Sequence, residues 1–500
     1  MLRLFHNALK SDLPFPMSKA LLDDLELTAY LGRYFDNPVP FITCDAATIR
    51  ERNAVCEALM NNESLTAALQ RLHNASIPLL ETASSVESEP IHIMNNMIGV
   101  RLFWDAAQAV MQSIAACGPL PPALAKLPEQ LRELLGERYP GNFIEAWDTY
   151  ASGVGKTGSI AYRVHFSDEL TIDAIALLDV NRKRYVSSTL LNRLVNTSNP
   201  MRVDELLPLA YQIGKRFSHM EASTLERFGH SVWQMLITQT AAARSQLSVI
   251  ERSIADDIRL FMEELRFALG MVRYAQAIAK HSPNTCYAEI RGTEEHALIV
   301  SGMVHPLLAE QAEVTANDLS VHHGQELILL GGVNRGGKTT YLRTAGAMQL
   351  LFQLGLPIPA ASARISPASG MFSVFSREEN TALSQGTLGR ELSEMRDVIA
   401  ALDENGLFMG NEPLSGTSPM ESYSLSRESL CMLKAKHARG IWVTHLYELF
   451  EDVDRLNGIP FGSRFACMHT EAADGERRFN ILPGIPSKYS GARELFASYS

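Results

Sequence analysis

The sequence predicts a multidomain protein: an all-α region followed by a C-terminal α/β domain. Three observations predict it. The chain has 500 residues, more than one hydrophobic core usually organises, which points to about two to four domains. Over Ser18 to about Leu80, Pro90 to Leu135 and about Val203 to Lys280, apolar residues recur mainly at spacings of three and four, the period of a helix face. After His281-Ser282-Pro283-Asn284 the texture changes, and strand-length apolar runs alternate with helical ones.

The elements follow in order. Helical periodicity dominates from Ser18 to about Leu80, and Asp45 is placed to cap a helix containing Ile49, Val55 and Leu59. Pro90 to Leu135 is also helical, interrupted at Pro119–Pro122. Ser159-Ile160-Ala161-Tyr162-Arg163-Val164-His165-Phe166 has β character and suggests a small hairpin within residues 140–190. Nearby, Gly153-Val154-Gly155-Lys156-Thr157 ends like a phosphate loop, but Tyr150 stands where the first glycine is required and no apolar strand precedes it, so it reads as a turn. Ile250, Ile254, Ile258, Phe261, Leu265, Leu269 and Val272 form one apolar stripe. Val249 to Ala279 could form a helix of roughly 45 Å at ~1.5 Å per residue, either as core or as a lever between domains. Strands are expected at Ala297–Val300, Leu327–Leu330, Gly406–Gly410 and Ile441–Thr444, in a mostly parallel sheet.

The most specific motif is Gly332-Val333-Asn334-Arg335-Gly336-Gly337-Lys338-Thr339-Thr340, which fits G-x-x-x-x-G-K-[ST] between an apolar strand and a helix. In that setting Gly332, Asn334, Gly336, Gly337 and Thr340 belong to a backbone cradle for nucleotide phosphates. Lys338 reaches the β/γ-phosphates and Thr339 ligates Mg²⁺. Hydrolysis of ATP needs further residues for the metal and the attacking water. Leu407–Gly410 ends in Asn411 and Glu412, the second metal position and the candidate general base. Asn411 is a neutral ligand where an Asp usually stands, which predicts slow turnover. His445, closing the strand Trp442-Val443-Thr444, is placed to donate to a γ-phosphate. Ser384, Gly386 and Thr387 open a charged helical run; they either cap the nucleotide of a second subunit or form an ordinary helix N-cap, and spacing alone does not choose.

Composition excludes several classes. There are 45 basic and 56 acidic residues, a net charge of −11, so the chain exerts no general attraction on nucleic acid or anionic lipid. The six cysteines are scattered without CxxC spacing, which suggests neither a zinc site nor a disulfide framework and fits a reducing cytosol. No apolar run of spanning length and no leader-like segment is found.

The motif-bearing residues resemble the MutS family, ABC-type ATPases that include the DNA mismatch-repair proteins. Val304-His305-Pro306-Leu307-Leu308, Asn317-Asp318-Leu319, the Gly332–Tyr341 loop, Pro357-Ile358-Pro359-Ala360, Asn411-Glu412, Gly416-Thr417-Ser418, Thr444-His445 with Glu448-Leu449, Met468-His469 and Ser487-Lys488-Tyr489-Ser490-Gly491 follow the family's order. The resemblance implies a first helical core segment over residues 1–100, a core and lever region with a β insertion over 101–283, and an ATPase domain over 284–500. It implies ATP and Mg²⁺ as ligands, His469 stacked on adenine, and a homodimer closing over the nucleotide. The departures are specific. No Phe-x-Glu mismatch wedge is found, Gly386-Thr387-Leu388 replaces the family's Ser-Thr-Phe, Asn411 replaces Asp, and Val314 stands where an aromatic flanks adenine. They resemble a truncated branch of the family without the mismatch-recognition domain. The functions implied are an ATP-driven dimer clamp on duplex or branched DNA, a switch remodelling a protein partner, or a nucleotide-gated scaffold with little turnover.

Overall fold

A computed structural model describes residues 4–5, 15–82, 90–138, 159–166, 172–181, 258–282, 284–311, 313–333, 336–376, 387–470 and 479–486. The chain divides into two compact units.

The first unit comprises Met1–Leu2, Arg71–Met111 and Pro128–Leu260. It takes in most of the helix Pro90–Ala116, the greater part of Pro122–Arg138 and the second half of Glu63–Thr82. Leu72, Val100, Phe103, Val110 and Leu131 are buried. The expected β element is present as two antiparallel strands, β1 (Ser159–Phe166) and β2 (Ile172–Asn181), in register from Ser159↔Asn181 to Phe166↔Ile172. The decoy at Gly153–Thr157 lies outside the described residues.

The second unit comprises Arg3–Gln70, Gln112–Leu127 and Phe261–Ser500. Its helical part begins with α1 (Leu21–Asp24), α2 (Thr28–Leu31) and α3 (Ala46–Met60). Asp45 caps α3 as expected, its carboxylate accepting from the backbone N–H groups of Ala47 and Thr48. Along the chain follow α4 (Glu63–Thr82), α5 (Pro90–Ala116) and α6 (Pro122–Arg138), each divided between the two units, with the Pro119–Pro122 break between α5 and α6, and then α7 (residues 258–281), which from Phe261 on belongs to this unit. The α7 stripe residues Ile258, Phe261, Leu265, Leu269 and Val272 are all buried; the N-terminal part of the expected longer helix, 249–257, lies outside the described residues. Phe267 of α7 stacks on Phe41 at 3.9 Å between ring centroids, and Tyr274 meets Tyr30 and Tyr34 edge-on. Among the described residues no helix is long and apolar enough to cross a membrane.

The α/β part holds two sheets. Strands β3 (Glu289–Ile290), β4 (Leu298–Met303), β5 (Asn317–Val321) and β7 (Ser362–Ile365) form a mixed sheet in the order β3-β7-β4-β5. This second sheet is not evident from the sequence, because β3 and β7 have only two and four residues. The larger sheet has the order β12-β11-β6-β10-β9-β8, with β6 (Leu327–Gly331), β8 (Met371–Phe375), β9 (Leu407–Asn411), β10 (Arg439–Val443) and β11 (Phe465–Thr470) parallel, and β12 (Ile481–Pro483) antiparallel. The connecting helices are α8 (Lys338–Leu354), α9 (Thr387–Ala401), α10 (Pro419–Ala435), α11 (Tyr447–Glu451) and α12 (Val453–Asn457).

Each side of the large sheet is buried differently. Leu327, Leu329, Phe408 and Trp442 pack with Met395 and Val398 of α9, Leu430 and Leu433 of α10, and Leu449 of α11. Helix α8 contacts β9 and β10, β4 of the smaller sheet, and α3. Every residue from Thr344 to Leu354 is therefore buried, and its sequence shows no polar stripe. Its two buried amides are hydrogen-bonded unequally: Gln349 donates to Gln353 Oε1 and the Ser366 carbonyl while its own Oε1 has no partner, and Gln353 donates to the carbonyls of Thr43 and Ala368 and accepts the Ala368 N–H.

Candidate functional site

Parallel pairing aligns the carboxyl ends of the central strands. Val443 of β10 pairs with Leu330 of β6 on one side and with Asn411 of β9 on the other. The chain leaves β6 for the far edge of the sheet, returns through β9 and β10, and then places β11 on the other side of β6. The crevice outside the carboxyl ends at such a reversal is where open α/β sheets bind ligands. The residues after β6, β9 and β10 are the ones singled out by the sequence, so the topology explains why segments about eighty and thirty residues apart in sequence meet.

After β6, Gly332 adopts φ +115° and Gly337 φ +89°, both in the left-handed region. Gly332 is also held by proximity: a Cβ there would lie 2.2 Å from Thr470 Oγ1 and 2.9 Å from Thr470 N. The same hydroxyl accepts the Val333 N–H at 3.1 Å, so the end of β11 braces the loop. Gly337 is the N-cap of α8 and supplies no side-chain cap. The first N–H groups of a seventeen-residue helix thus point into the crevice without a side-chain acceptor. Lys338 is buried, and its ammonium donates to the carbonyls of Gly332 (3.0 Å) and Val333 (2.9 Å). An ammonium has three N–H donors, so one remains for a ligand. Burial lowers the Lys338 pKa, opposed by the charge of Glu412.

Thr339 Oγ1 donates to Asn411 Oδ1 at 3.0 Å. These two oxygens are neighbouring hard donors of the kind Mg²⁺ takes. Glu412 has φ +51°, a strained conformation for its residue type. Its N–H is tied to the Val443 carbonyl at 3.0 Å, and its carboxylate lies 2.6 Å from His445 Nε2. The hydrogen bond from His445 holds the Glu412 carboxyl below its ordinary range, assisted by the charges of His445 and Lys338 and opposed by burial. Thr444 fixes the turn that presents His445: its N–H donates to the Leu330 carbonyl, and its hydroxyl accepts the Leu446 N–H.

A cavity of about 430 Å³ runs along this edge, within the range of small-molecule sites. It is lined by Gly336–Tyr341 and Glu412, with Phe479 beside Gly337, and by residues of Met303–Leu308 and Gln311–Asn317 that mix apolar and polar side chains. Of the sequence-derived residues, Gly336, Gly337, Lys338, Thr339, Thr340 and Glu412 line it, Asn411 and His445 touch that lining, and Gly332 carries the carbonyl holding Lys338. Asn334, Ser384 and Gly386 lie outside the described residues, and Thr387 is the first residue of α9. His469, expected to stack on the base, does not line the cavity. On β11 it pairs with Leu482, whose carbonyl lies 3.2 Å from His469 Nδ1, and burial lowers its pKa. Sequence reasoning missed Thr470 and Phe479. Thr470 had a signal, since it directly follows Met468-His469; Phe479 sits in a stretch without a motif.

Glycine loop, uncapped helix, the Thr339–Asn411 oxygens and the hydrogen-bonded Glu412 thus meet at the carboxyl edge of one mostly parallel α/β sheet. Residues 328–487 match the model of MutS domain V. Endonuclease MutS2 of Ligilactobacillus salivarius (strain UCC118) is 27% identical over 258 residues, 50% of this chain and 32% of that protein. Endonuclease MutS2 of Streptococcus pyogenes serotype M49 (strain NZ131) is 31% identical over 204 residues, 41% of this chain and 25% of that protein. DNA mismatch repair protein MutS of Parasynechococcus marenigrum (strain WH8102) is 31% identical over 176 residues, 34% of this chain and 20% of that protein. The chain thus spans a third or less of the length of these curated relatives. The resemblance to the MutS family therefore rests on the match of residues 328–487 to MutS domain V and on relatives named MutS2 and MutS.

Proposed function

We propose that the cavity binds Mg·ATP, that the chain hydrolyses it, and that the cycle drives a homodimeric clamp on DNA. The observation that carries the reading is the convergence on one crevice of the glycine loop with Lys338, the Thr339–Asn411 pair and the Glu412–His445 pair.

The roles follow from the chemistry. The α8 N–H groups and the free Lys338 donor take the phosphates. Thr339 and Asn411 hold Mg²⁺, which when bound neutralises charge on the β- and γ-phosphates. Glu412, kept ionised by its partners, orients and deprotonates the attacking water. His445 fixes the Glu412 carboxylate and is within reach of a γ-phosphate. Ser384, Gly386 and Thr387 are assigned to the nucleotide of the partner subunit, and the boundaries near residues 100 and 283 to the helical and ATPase regions. DNA as the object is supported by the relatives, named an endonuclease and a DNA mismatch-repair protein. The net charge of −11 favours a second reading, the same stroke applied to a protein partner.

Calorimetry with Mg·ATP tests the site: wild type binds, and Lys338→Ala binds at least about tenfold more weakly. Glu412→Gln should retain binding and lose about 10²–10⁴ in turnover; an unchanged rate removes Glu412 from catalysis. Sedimentation of Glu412→Gln with ATP should show a dimer, and a persistent monomer refutes the clamp. A salt titration on duplex and branched DNA separates the readings, since a slope near zero eliminates phosphate-driven clamping.

A further inference from the structure

We infer that Thr470 is a positioning residue for the nucleotide's phosphates: it holds the Gly332–Val333 peptide in the orientation that seats the Lys338 ammonium. The inference rests on the reading that the cavity takes a nucleotide.

One peptide plane carries the argument. A trans peptide is planar, so its N–H and C=O point in opposite directions; among the described residues no peptide is cis. The N–H of this plane, on Val333, donates to Thr470 Oγ1 at 3.1 Å. Its C=O, on Gly332, accepts from Lys338 Nζ at 3.0 Å. The hydroxyl therefore fixes where the carbonyl points, and the carbonyl fixes where the ammonium stands. The plane needs holding because it begins at a glycine: Gly332 is at φ +115°, and a residue without Cβ lets the adjoining peptide turn at little steric cost. The next plane is held differently, by the loop itself, since the Val333 carbonyl accepts both Lys338 Nζ at 2.9 Å and the Gly336 N–H at 3.3 Å.

The sheet puts Thr470 where it can do this. His469 pairs with Gly331 across β11 and β6, so Thr470 comes next beside Gly332. On its other side Thr470 pairs with Ile481 of β12, and it is only 4% exposed. Its backbone is thus fixed from both sides, while the loop it holds is not part of a strand. The loop is shaped around it. The three atoms nearest a Cβ on Gly336 all belong to the Thr470 side chain, with Cγ2 at 2.9 Å. Gly336 has no left-handed φ, so its lack of a side chain answers to this close approach. Thr470 does not itself line the cavity; it acts on a ligand only through the loop and Lys338.

Two probes test it: Mg·ATP and Mg·tripolyphosphate, each titrated calorimetrically into the full chain. Thr470→Val keeps the shape and removes the acceptor, so both probes should bind about tenfold more weakly, the worth of one hydrogen bond to a buried N–H. Thr470→Ala, which is smaller and brings no steric conflict, should show the same loss. Thr470→Ser keeps the acceptor and should bind both probes as wild type does. Turnover of Thr470→Val at saturating Mg·ATP should be unchanged, because Glu412 and the Thr339–Asn411 pair are untouched, so the loss falls on KM. In the Lys338→Met background Thr470→Val should add little, since the ammonium it positions is gone. The inference is overturned if Thr470→Val and Thr470→Ala bind both probes normally, if Thr470→Ser loses as much as they do, if kcat falls while KM holds, or if the losses of Thr470→Val and Lys338→Met simply add. Failure of the nucleotide reading looks different: neither probe binds wild type, or Lys338→Ala leaves both affinities intact.

Discussion

Asn411→Asp tests whether the neutral residue at the end of β9 limits the metal site. Asn411 Oδ1 already accepts the Thr339 hydroxyl at 3.0 Å, so an aspartate fits the same space and keeps that bond, and the change is one of charge. At about 4 Å and an effective dielectric near 20, a unit charge and a divalent ion attract by roughly 8 kcal/mol. Desolvating the added carboxylate takes back several of these, on the order of 5 kcal/mol. The new charge also stands next to Glu412, itself ionised, and opposes it by about 1–2 kcal/mol at a separation of a few ångströms in partly solvated surroundings. The net gain is about 1–2 kcal/mol, or roughly five- to thirtyfold in Mg²⁺ affinity at fixed ATP. Without metal the same substitution leaves only the repulsion, so the ligand-free protein should melt at a lower temperature than wild type. The assay is a fluorescent-nucleotide titration at stepped Mg²⁺ concentrations, with thermal melts in chelator. An unchanged Mg²⁺ requirement would falsify the placement of Asn411 at the metal.

Three further outcomes are expected. Lys338→Met should weaken Mg·ATP roughly tenfold to a hundredfold, the worth of a charge-assisted contact of about 1.5–3 kcal/mol. Asp452 accepts from the Tyr423 hydroxyl (2.5 Å) and from Arg427 Nε (2.8 Å), which hold its carboxyl below the ordinary range. A depressed carboxyl contributes stability above its unfolded pKa and loses it as pH falls through the folded pKa. Asp452→Asn should therefore cost about 1 kcal/mol near neutrality and progressively less in acid, as read by urea unfolding at stepped pH; a pH-independent cost would show that the carboxylate charge is not involved. Gly440→Ala should destabilise the domain by about 3 kcal/mol or more, because its Cβ would lie 2.1 Å from the Phe408 carbonyl oxygen. That is backbone in the neighbouring strand and cannot rotate away, and a wild-type denaturation midpoint would refute the β9–β10 approach.

What was legible in the sequence was whatever is local or repeats at short range. The Asp45 cap, the Pro119–Pro122 break, the α7 stripe and the strands ending at Gly331, Asn411 and Val443 each depend on neighbours a few residues away. Glu412 and His445 could be singled out because Glu412 directly follows β9 and His445 follows β10 after Thr444. Their 2.6 Å contact could not, since it depends on Val443 standing between Leu330 and Asn411 in the sheet. The residues missed show the same limit from the other side. Thr470 braces the loop through one hydroxyl across 137 residues, and Asn317 holds Phe479 across 162. Neither contact leaves a period or a motif behind, because a single side chain meeting a backbone atom constrains only itself. The antiparallel pairing of β11 with β12 sets His469 opposite Leu482, and that pairing is decided by the chain after the Met468-His469 motif ends. Motifs therefore locate the glycine-loop part of this cavity, where a fixed spacing and the backbone set the geometry. The rest of its lining comes from β4, β5 and the approach to β12, and there only the fold says which residues meet.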